Sequence, residues 1–380
     1  ITYGASTPAN GYSTSGLAAN DVISGLTYTY AGSGSTTYAA STSAPTLPGT
    51  YSITPSALTF STGATSNYTS IAYVAGSLTI NSATLVITAN SPTAITYGTS
   101  TPANGFTTTG LNGSDSFVLS YTYAGTGTTS YAASTTAPTA AGTYSITPAI
   151  TSWTSGSAST YSAINYVAGS LTINKKALTV TPDSINITYG STSPSYTFVV
   201  TGFKSGEDAT NAAGYSAPTC TSSGYSATNA ATTTSSITCS AGLATNYSFI
   251  TTATATATVT QAPLVVAAEA KSVTYGEAAP TFTFTVAGFK NSQTTSTAAG
   301  YVAPTCSAPS YTRTSAVGSS ITISCSGASA TNYSFSYTSA ALTITTRPTL
   351  TITASSPSAI TYGASTPANA YTTSGLAAND

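Results

Sequence analysis

Apolar residues along this chain alternate with hydroxyl residues at a period of two. Tyr28 and Tyr30, Tyr51 and Ile53, Leu78 and Ile80, Phe282 and Phe284, and Leu342 and Ile344 each flank a Thr or Ser. That spacing puts one face of a strand in a core and the other in water. Thr, Tyr, Val and Ile favour strands, and Gly, Pro and Asn punctuate the runs between them. No segment sustains a helical period. Leu17–Asp21, Leu111–Asp115 and Phe203–Asp208 each have room for one helical turn. The expected fold is all-β, as a tandem array of small Ig-like β-sandwiches of about 90 residues. A β-grasp-like unit with little helix is the alternative.

The strands fall into repeats. Thr-Tyr-Gly recurs with its glycine at Gly4, Gly98, Gly190, Gly276 and Gly363, and a proline follows each within five residues. Ala-Pro-Thr begins at Ala44, Ala137, Ala217 and Ala303, and a Leu-Thr-Ile strand closes three of the units. Short joints then lead into new strands beginning at Leu85, Leu178, Leu264 and Leu350. The expected units are 1–81 (partial), 82–174, 175–260, 261–346 and 347–380 (the start of another). Units of this size can each hold a core, and joints this short predict a stiff rod.

The first two units share Tyr-Thr-Tyr-Ala-Gly and Gly-Thr-Tyr-Ser-Ile-Thr, whereas the third and fourth share Gly-Phe-Lys and a cysteine pair. Residues 360–380 match residues 1–21 at all but two positions. The order is therefore A-A-B-B-A with a super-period of 359 residues. It leads to the expectation that the chain is a window on a longer polypeptide.

Composition narrows the function. Of 380 residues only 4% are charged, against roughly 25% in typical domains. The formal net charge is −1. Histidine is absent, which removes Ser-His and Cys-His couples and imidazole metal ligands. The lack of a basic patch removes the driving force for nucleic-acid binding. No apolar run reaches the roughly 18 residues of a membrane span, so no membrane insertion is expected. The 27 tyrosines and regular aliphatic strands also argue against disorder.

The cysteines are spaced identically in the two B units, Cys220 to Cys239 and Cys306 to Cys325. Three connectivities are open to four cysteines; equal spacing in like units favours a bridge within each, closing a loop worth about 3 kcal/mol. Such bridges imply an oxidising, extracellular setting. Neither pair has CxxC spacing.

The Thr-Tyr-Gly tyrosines read as core residues with bonded hydroxyls, and Trp153, which falls near the place of Phe60, as a packing residue. Asp21, Asp115, Glu207 with Asp208, and Asp380 recur after Gly-Leu or Gly-Phe. One acid per A unit is thin for calcium, and turn or cap hydrogen bonding is the expectation. Lys175, Lys271 and Lys290 are candidates for isopeptide bonds to Asn, or simply solvated. Asn67, Asn112, Asn186, Asn246 and Asn332 head N-x-Ser/Thr sequons and are possible glycosylation sites. Faces of hydroxyls with almost no charge can pack side by side, and flat strand edges add a second route to association.

Thr-Tyr-Gly with its proline, Gly-Leu or Gly-Phe with an acid, Asn-Tyr-Ser (Asn246–Ser248, Asn332–Ser334) and a closing Leu-Thr-Ile resemble the MBG repeats of the YGX type. Those repeats occur in long arrays in large bacterial surface and secreted proteins, often adhesin-like. The resemblance covers essentially the whole chain. It implies an extracellular or cell-surface modular stalk without catalysis, and it transfers no binding residues. Two departures are the cysteine pairs and the low charge.

The expected function is therefore structural: a fibre, filament or stalk of tandem β domains. Self-association or neighbouring repeats would be its partners, with no cofactor and no enzymatic activity. The alternative is an adhesin that meets glycans or another cell surface through Tyr-rich loops.

Overall fold

A computed structural model describes residues 1–376. The described chain is all-β apart from two single 3₁₀ turns at Thr65–Asn67 and Ala158–Thr160. Leu17–Asp21, Leu111–Asp115 and Phe203–Asp208 are not helical. Each closes one i to i+3 turn, by Asp21 N–H to the Ala18 carbonyl, Asp115 N–H to Asn112 and Glu207 N–H to Lys204. Gly110 precedes the second in the left-handed region and Gly206 interrupts the third there, which stops propagation.

The first repeat forms β1 (Val22–Gly32), β2 (Gly49–Thr62) and β3 (Gly76–Ile80), an antiparallel sheet in the order β1-β2-β3. The second supplies β4 (Ala83–Ala89), β5 (Ile95–Thr96), β6 (Phe106–Thr109), β7 (Ser116–Gly125), β8 (Gly142–Ser155), β9 (Tyr161–Val167) and β10 (Gly169–Asn174). These make two sheets, β6-β4-β9 and β5-β10-β8-β7. β4 runs antiparallel to β6 and parallel to β9, and β5 runs parallel to β10. Along β4 the odd residues from Ala83 to Ala89 are buried, with Leu85 and Ile87 fully so. This is the period-two pattern made physical.

The third repeat supplies β11 (Lys176–Pro182), β12 (Ile185–Thr188), β13 (Phe198–Thr201), β14 (Cys220–Thr221), β15 (Thr234–Cys239), β16 (Tyr247–Ile250) and β17 (Ala255–Thr260). β13 pairs antiparallel with β11, and a second sheet runs β12-β17-β15-β14. The fourth repeats the arrangement with β18 (Ala262–Ala268), β19 (Lys271–Thr274), β20 (Phe284–Ala287), β21 (Thr305–Ser307), β22 (Ser320–Ser326), β23 (Tyr333–Thr338) and β24 (Ala340–Thr345). Its sheets are β20-β18-β23 and β19-β24-β22-β21. A last hairpin pairs β25 (Thr351–Ala354) with β26 (Tyr371–Ser374). In the third repeat the two sheets share one core. Val180 from one sheet packs with Ile187, Ile237 and Ala257 from the other.

By contacts the described chain divides into two compact units. One holds residues 1–177 with 202–215 and 244–248; the other holds 178–201, 216–243 and the residues from 249 onward. In the first unit a single cluster joins Leu78 and Ile80 of β3 to Leu85 and Ile87 of β4. In the second, Val259 of β17 and Leu264 of β18 share a cluster. Core therefore runs through these joints, where a linker would carry none.

Candidate functional site

The chemistry-bearing side chains gather at the joints. In the first unit, Tyr3 is buried and its hydroxyl donates to both carboxylate oxygens of Asp115 at 3.1 Å. Tyr161 donates to Asp115 Oδ2 at 2.6 Å, and its hydroxyl accepts from Asn112 N–H. The Tyr3 and Tyr161 rings meet edge to face at 5.6 Å. Asp115 is itself buried, so two phenols stand in for the water it has lost. Gly156 lets the chain pass this carboxylate. Its φ is +80°, and a Cβ there would lie 2.4 Å from Asp115 Cγ. Burial, with the Asp115 hydrogen bond second, pushes the Tyr161 hydroxyl up to about 12. Trp153 stacks on Tyr161 and meets Phe117 edge-on; it is a packing residue of this cluster.

A second copy of the arrangement lies in the same unit. Tyr97 donates to Glu207 Oε1 at 2.6 Å and Tyr247 to Oε2 at 2.5 Å, with the two rings edge to face at 5.4 Å. Lys204 completes it, 3.1 Å from Glu207 and 4.7 Å above the centre of the Tyr97 ring. Hydrogen bonds from Tyr247 first and Tyr97 second hold the Glu207 carboxyl below the usual glutamate range. Desolvation raises Tyr247, with its bond to Glu207 the next cause.

The second unit holds a neutral version. Tyr189 and Tyr333 meet edge to face at 5.5 Å, and Tyr333 donates to Gln293 Oε1 at 2.7 Å. Lys290 N–H donates to the Tyr333 hydroxyl. Gly190, at φ +80°, again makes room: a Cβ would stand 2.4 Å from Lys290 Cβ.

The asparagine before the tyrosine is part of the same device. Asn246 and Asn332 are buried, and their Oδ1 atoms accept from Ala141 N–H at 2.9 Å and Ala231 N–H at 2.8 Å. Their backbone carbonyls accept from Lys176 and Ala262 N–H. Both side chains are thereby engaged inside the fold. Asn67 and Asn186 are exposed and Asn112 is half-buried.

The other candidates sit as follows. Asp21 accepts from Tyr68 at 2.8 Å. Asp208 accepts from Thr210 N–H and the Thr210 hydroxyl within a turn, which lowers its pKa. Asp380 lies outside the described residues. Among the described residues no three of Cys, Asp and Glu are placed to hold a metal. Lys175 donates to the Ala244 carbonyl and Lys271 faces Glu269 at 3.5 Å. Cys220 is bonded to Cys239 and Cys306 to Cys325, each pair directly opposed across two strands. The core tyrosines Tyr30, Tyr51, Tyr123 and Tyr144 are buried, with their hydroxyls bonded to Asn10, Leu47, Asn104 and Ala140 of neighbouring loops. No helix among the described residues is long and apolar enough to cross a membrane.

The sequence reading assigned the recurrent acids to their own turns. The tyrosine partners lie up to 112 residues away, and the glycines placed against the acids, Gly63 at Asp21 and Gly156 at Asp115, are also distant in sequence.

A family model described as MBG domain (YGX type) matches residues 1–79, 178–258 and 264–343, well over half of the chain. No curated protein matches it. Among solved structures, the crystal structure of Drosophila N-cadherin EC1-4 is similar at 8% identity and a TM-score of 0.22, with 84% of this chain and 92% of that one covered.

Proposed function

The chain belongs to the MBG domain family of the YGX type, and we propose that it is a non-catalytic structural component of an extracellular bacterial fibre, filament or surface stalk. Its working parts are repeats bounded near the joints at 82, 175, 261 and 347. The observation that carries this reading is the bond from Tyr97 to Glu207, with its counterpart from Tyr3 to Asp115. A side chain of one repeat is buried in the next and satisfied by a carboxylate there. Such a joint resists pivoting because bending it strips hydrogen bonds from a buried polar group. Two disulfides suit an oxidising compartment. A chain with only 4% charged residues places little repulsion between neighbouring copies.

Electron microscopy of the purified chain tests the reading. Elongated or polymeric particles are expected; globular monomers alone would remove it. Glycan-array retention is the readout for the adhesin alternative, to which the exposed Tyr12 and Tyr73 would contribute rings.

A further inference from the structure

The fourth repeat opens and closes on strands that lie side by side and run in the same direction. β18 pairs parallel with β23 over six residue pairs, from Ala262 with Tyr333 to Ala267 with Thr338. β19 pairs parallel with β24 over four more, from Lys271 with Leu342 to Thr274 with Thr345. Partners stand 71 residues apart in both ladders. Ser339 alone separates β23 from β24, and Glu269 and Ala270 separate β18 from β19. The opening and closing segments therefore form one long parallel pair that passes from the first sheet to the second. It is capped at both ends, by Ala262 N–H to the Asn332 carbonyl and by Tyr275 N–H to the Thr345 carbonyl, each at 3.0 Å. Leu264 and Val266 on the opening segment and Leu342 and Ile344 on the closing one are buried and anchor the pair in the core.

This pairing decides how the repeat meets a pull along the chain. Tension enters at the N-terminal end of β18 and leaves at the C-terminal end of β24. In a parallel pair those two points lie at opposite ends of the ladder. The segments are then drawn past each other along their own axes, and the evenly spaced bonds of a parallel ladder carry the load together. A hairpin pulled at its open end instead gives up one bond at a time. The second repeat is built in the same way. Thr84–Thr88 of β4 pairs parallel with Ala163–Val167 of β9, and Ile95 and Thr96 of β5 pair parallel with Ile173 and Asn174 of β10.

The disulfide of the fourth repeat lies outside this pair. It joins β21 to β22, across the sheet β19-β24-β22-β21 from β19. It does not staple the opening segment to the closing one. What it closes is the stretch of 19 residues from Cys306 to Cys325, which lies on the path of a pull through the repeat. The third repeat has the same bond between β14 and β15, across its sheet from β12, whose four pairs with β17 are also parallel. The second repeat has no cysteine. We propose that the chain is a tension-bearing tether, in which the parallel pair is a shear clamp and the disulfide of a B repeat stops its extension short once the clamp has yielded. The proposal rests on the stalk reading for its purpose alone.

Single-molecule pulling on the full chain tests it, with handles coupled through groups other than thiols. Gln261, Thr331 and Thr346 are exposed and take the handles. Pulling between positions 261 and 346 loads the pair in shear, whereas pulling between 261 and 331 opens it from one end. The fourth repeat is expected to yield at a higher force in the first geometry; an equal or lower force overturns the clamp. The wild-type chain, pulled from its two ends, is then compared with Cys306→Ala/Cys325→Ala and, independently, with Cys220→Ala/Cys239→Ala. Each variant is expected to lengthen one unfolding step by about 65 Å, the reach of 19 residues at roughly 3.3–3.6 Å each, and to leave the step of the second repeat unchanged. An unchanged step length in either variant overturns the stop. None of these results bears on particle shape, so elongated particles would still support the stalk if the clamp failed, and globular monomers would remove the stalk with the clamp intact.

Discussion

Tyr97 and Glu207, 110 residues apart in sequence, are joined by a 2.6 Å hydrogen bond from the phenol to Oε1. The same carboxylate takes Tyr247 on its other oxygen. Hydrogen bonds to charged groups contribute about 1.5–3 kcal/mol. Tyr97→Phe is therefore expected to lower the free energy of unfolding by that amount, read from urea denaturation, and Glu207→Gln likewise. Because the two residues share one contact, the double variant should lose less than the sum, with a coupling energy of about 0.5–3 kcal/mol. Strict additivity would mean that the bond does not operate in solution.

The latches also set two pH limits. Glu207 is held below the ordinary glutamate range, so its folded form favours the charged state. Its stabilisation is full above the unfolded-state value and is lost as pH falls through the lower folded value. Acid titration of the melting temperature should show a loss below roughly pH 4.5 that Glu207→Gln reduces. Tyr161 is displaced the other way, to about 12. Its stabilisation is present below about pH 10 and is lost as pH rises through about 12. Ultraviolet titration should find a phenol that ionises near that value, and Asp115→Asn should lower it.

Tyr301 and Tyr333 offer a matched contrast. The Tyr333 hydroxyl bonds Gln293, whereas the buried Tyr301 hydroxyl has no hydrogen-bond partner. Tyr333→Phe is expected to cost about 1 kcal/mol, and Tyr301→Phe to be neutral or stabilising. Equilibrium denaturation of the two variants checks the order; equal losses would refute it.

Each disulfide should stabilise its repeat by about 3 kcal/mol. Its two cysteines are 19 residues apart in sequence and opposed across antiparallel strands. A Cys220→Ala/Cys239→Ala variant should lower the unfolding midpoint and leave the far-ultraviolet spectrum of a β protein in place. Reduction of the wild type should do the same for both B repeats.

The strand pattern and the cysteine spacing were legible because both are local. Period two along Thr84–Thr88 places Leu85 and Ile87 on one face, and the structure buries both. Leu111–Asp115 misled as a helical turn: five residues next to Gly110 and containing Gly113 lack the length to propagate a helix. The latches were not legible, since Asp115 and Tyr3 are brought together only when two repeats pack. Asn246 and Asn332 met a glycosylation pattern, but that pattern records three residues and no burial. What seals one repeat to the next needed coordinates.

Mechanical unfolding of single full-length chains, tethered at both ends, tests the central claim most directly. The account predicts a series of discrete rupture events, one for each complete repeat, and expects Glu207→Gln to weaken the event that releases the Tyr97 latch. Smooth extension without force peaks, or a peak series unchanged by Glu207→Gln, would contradict it.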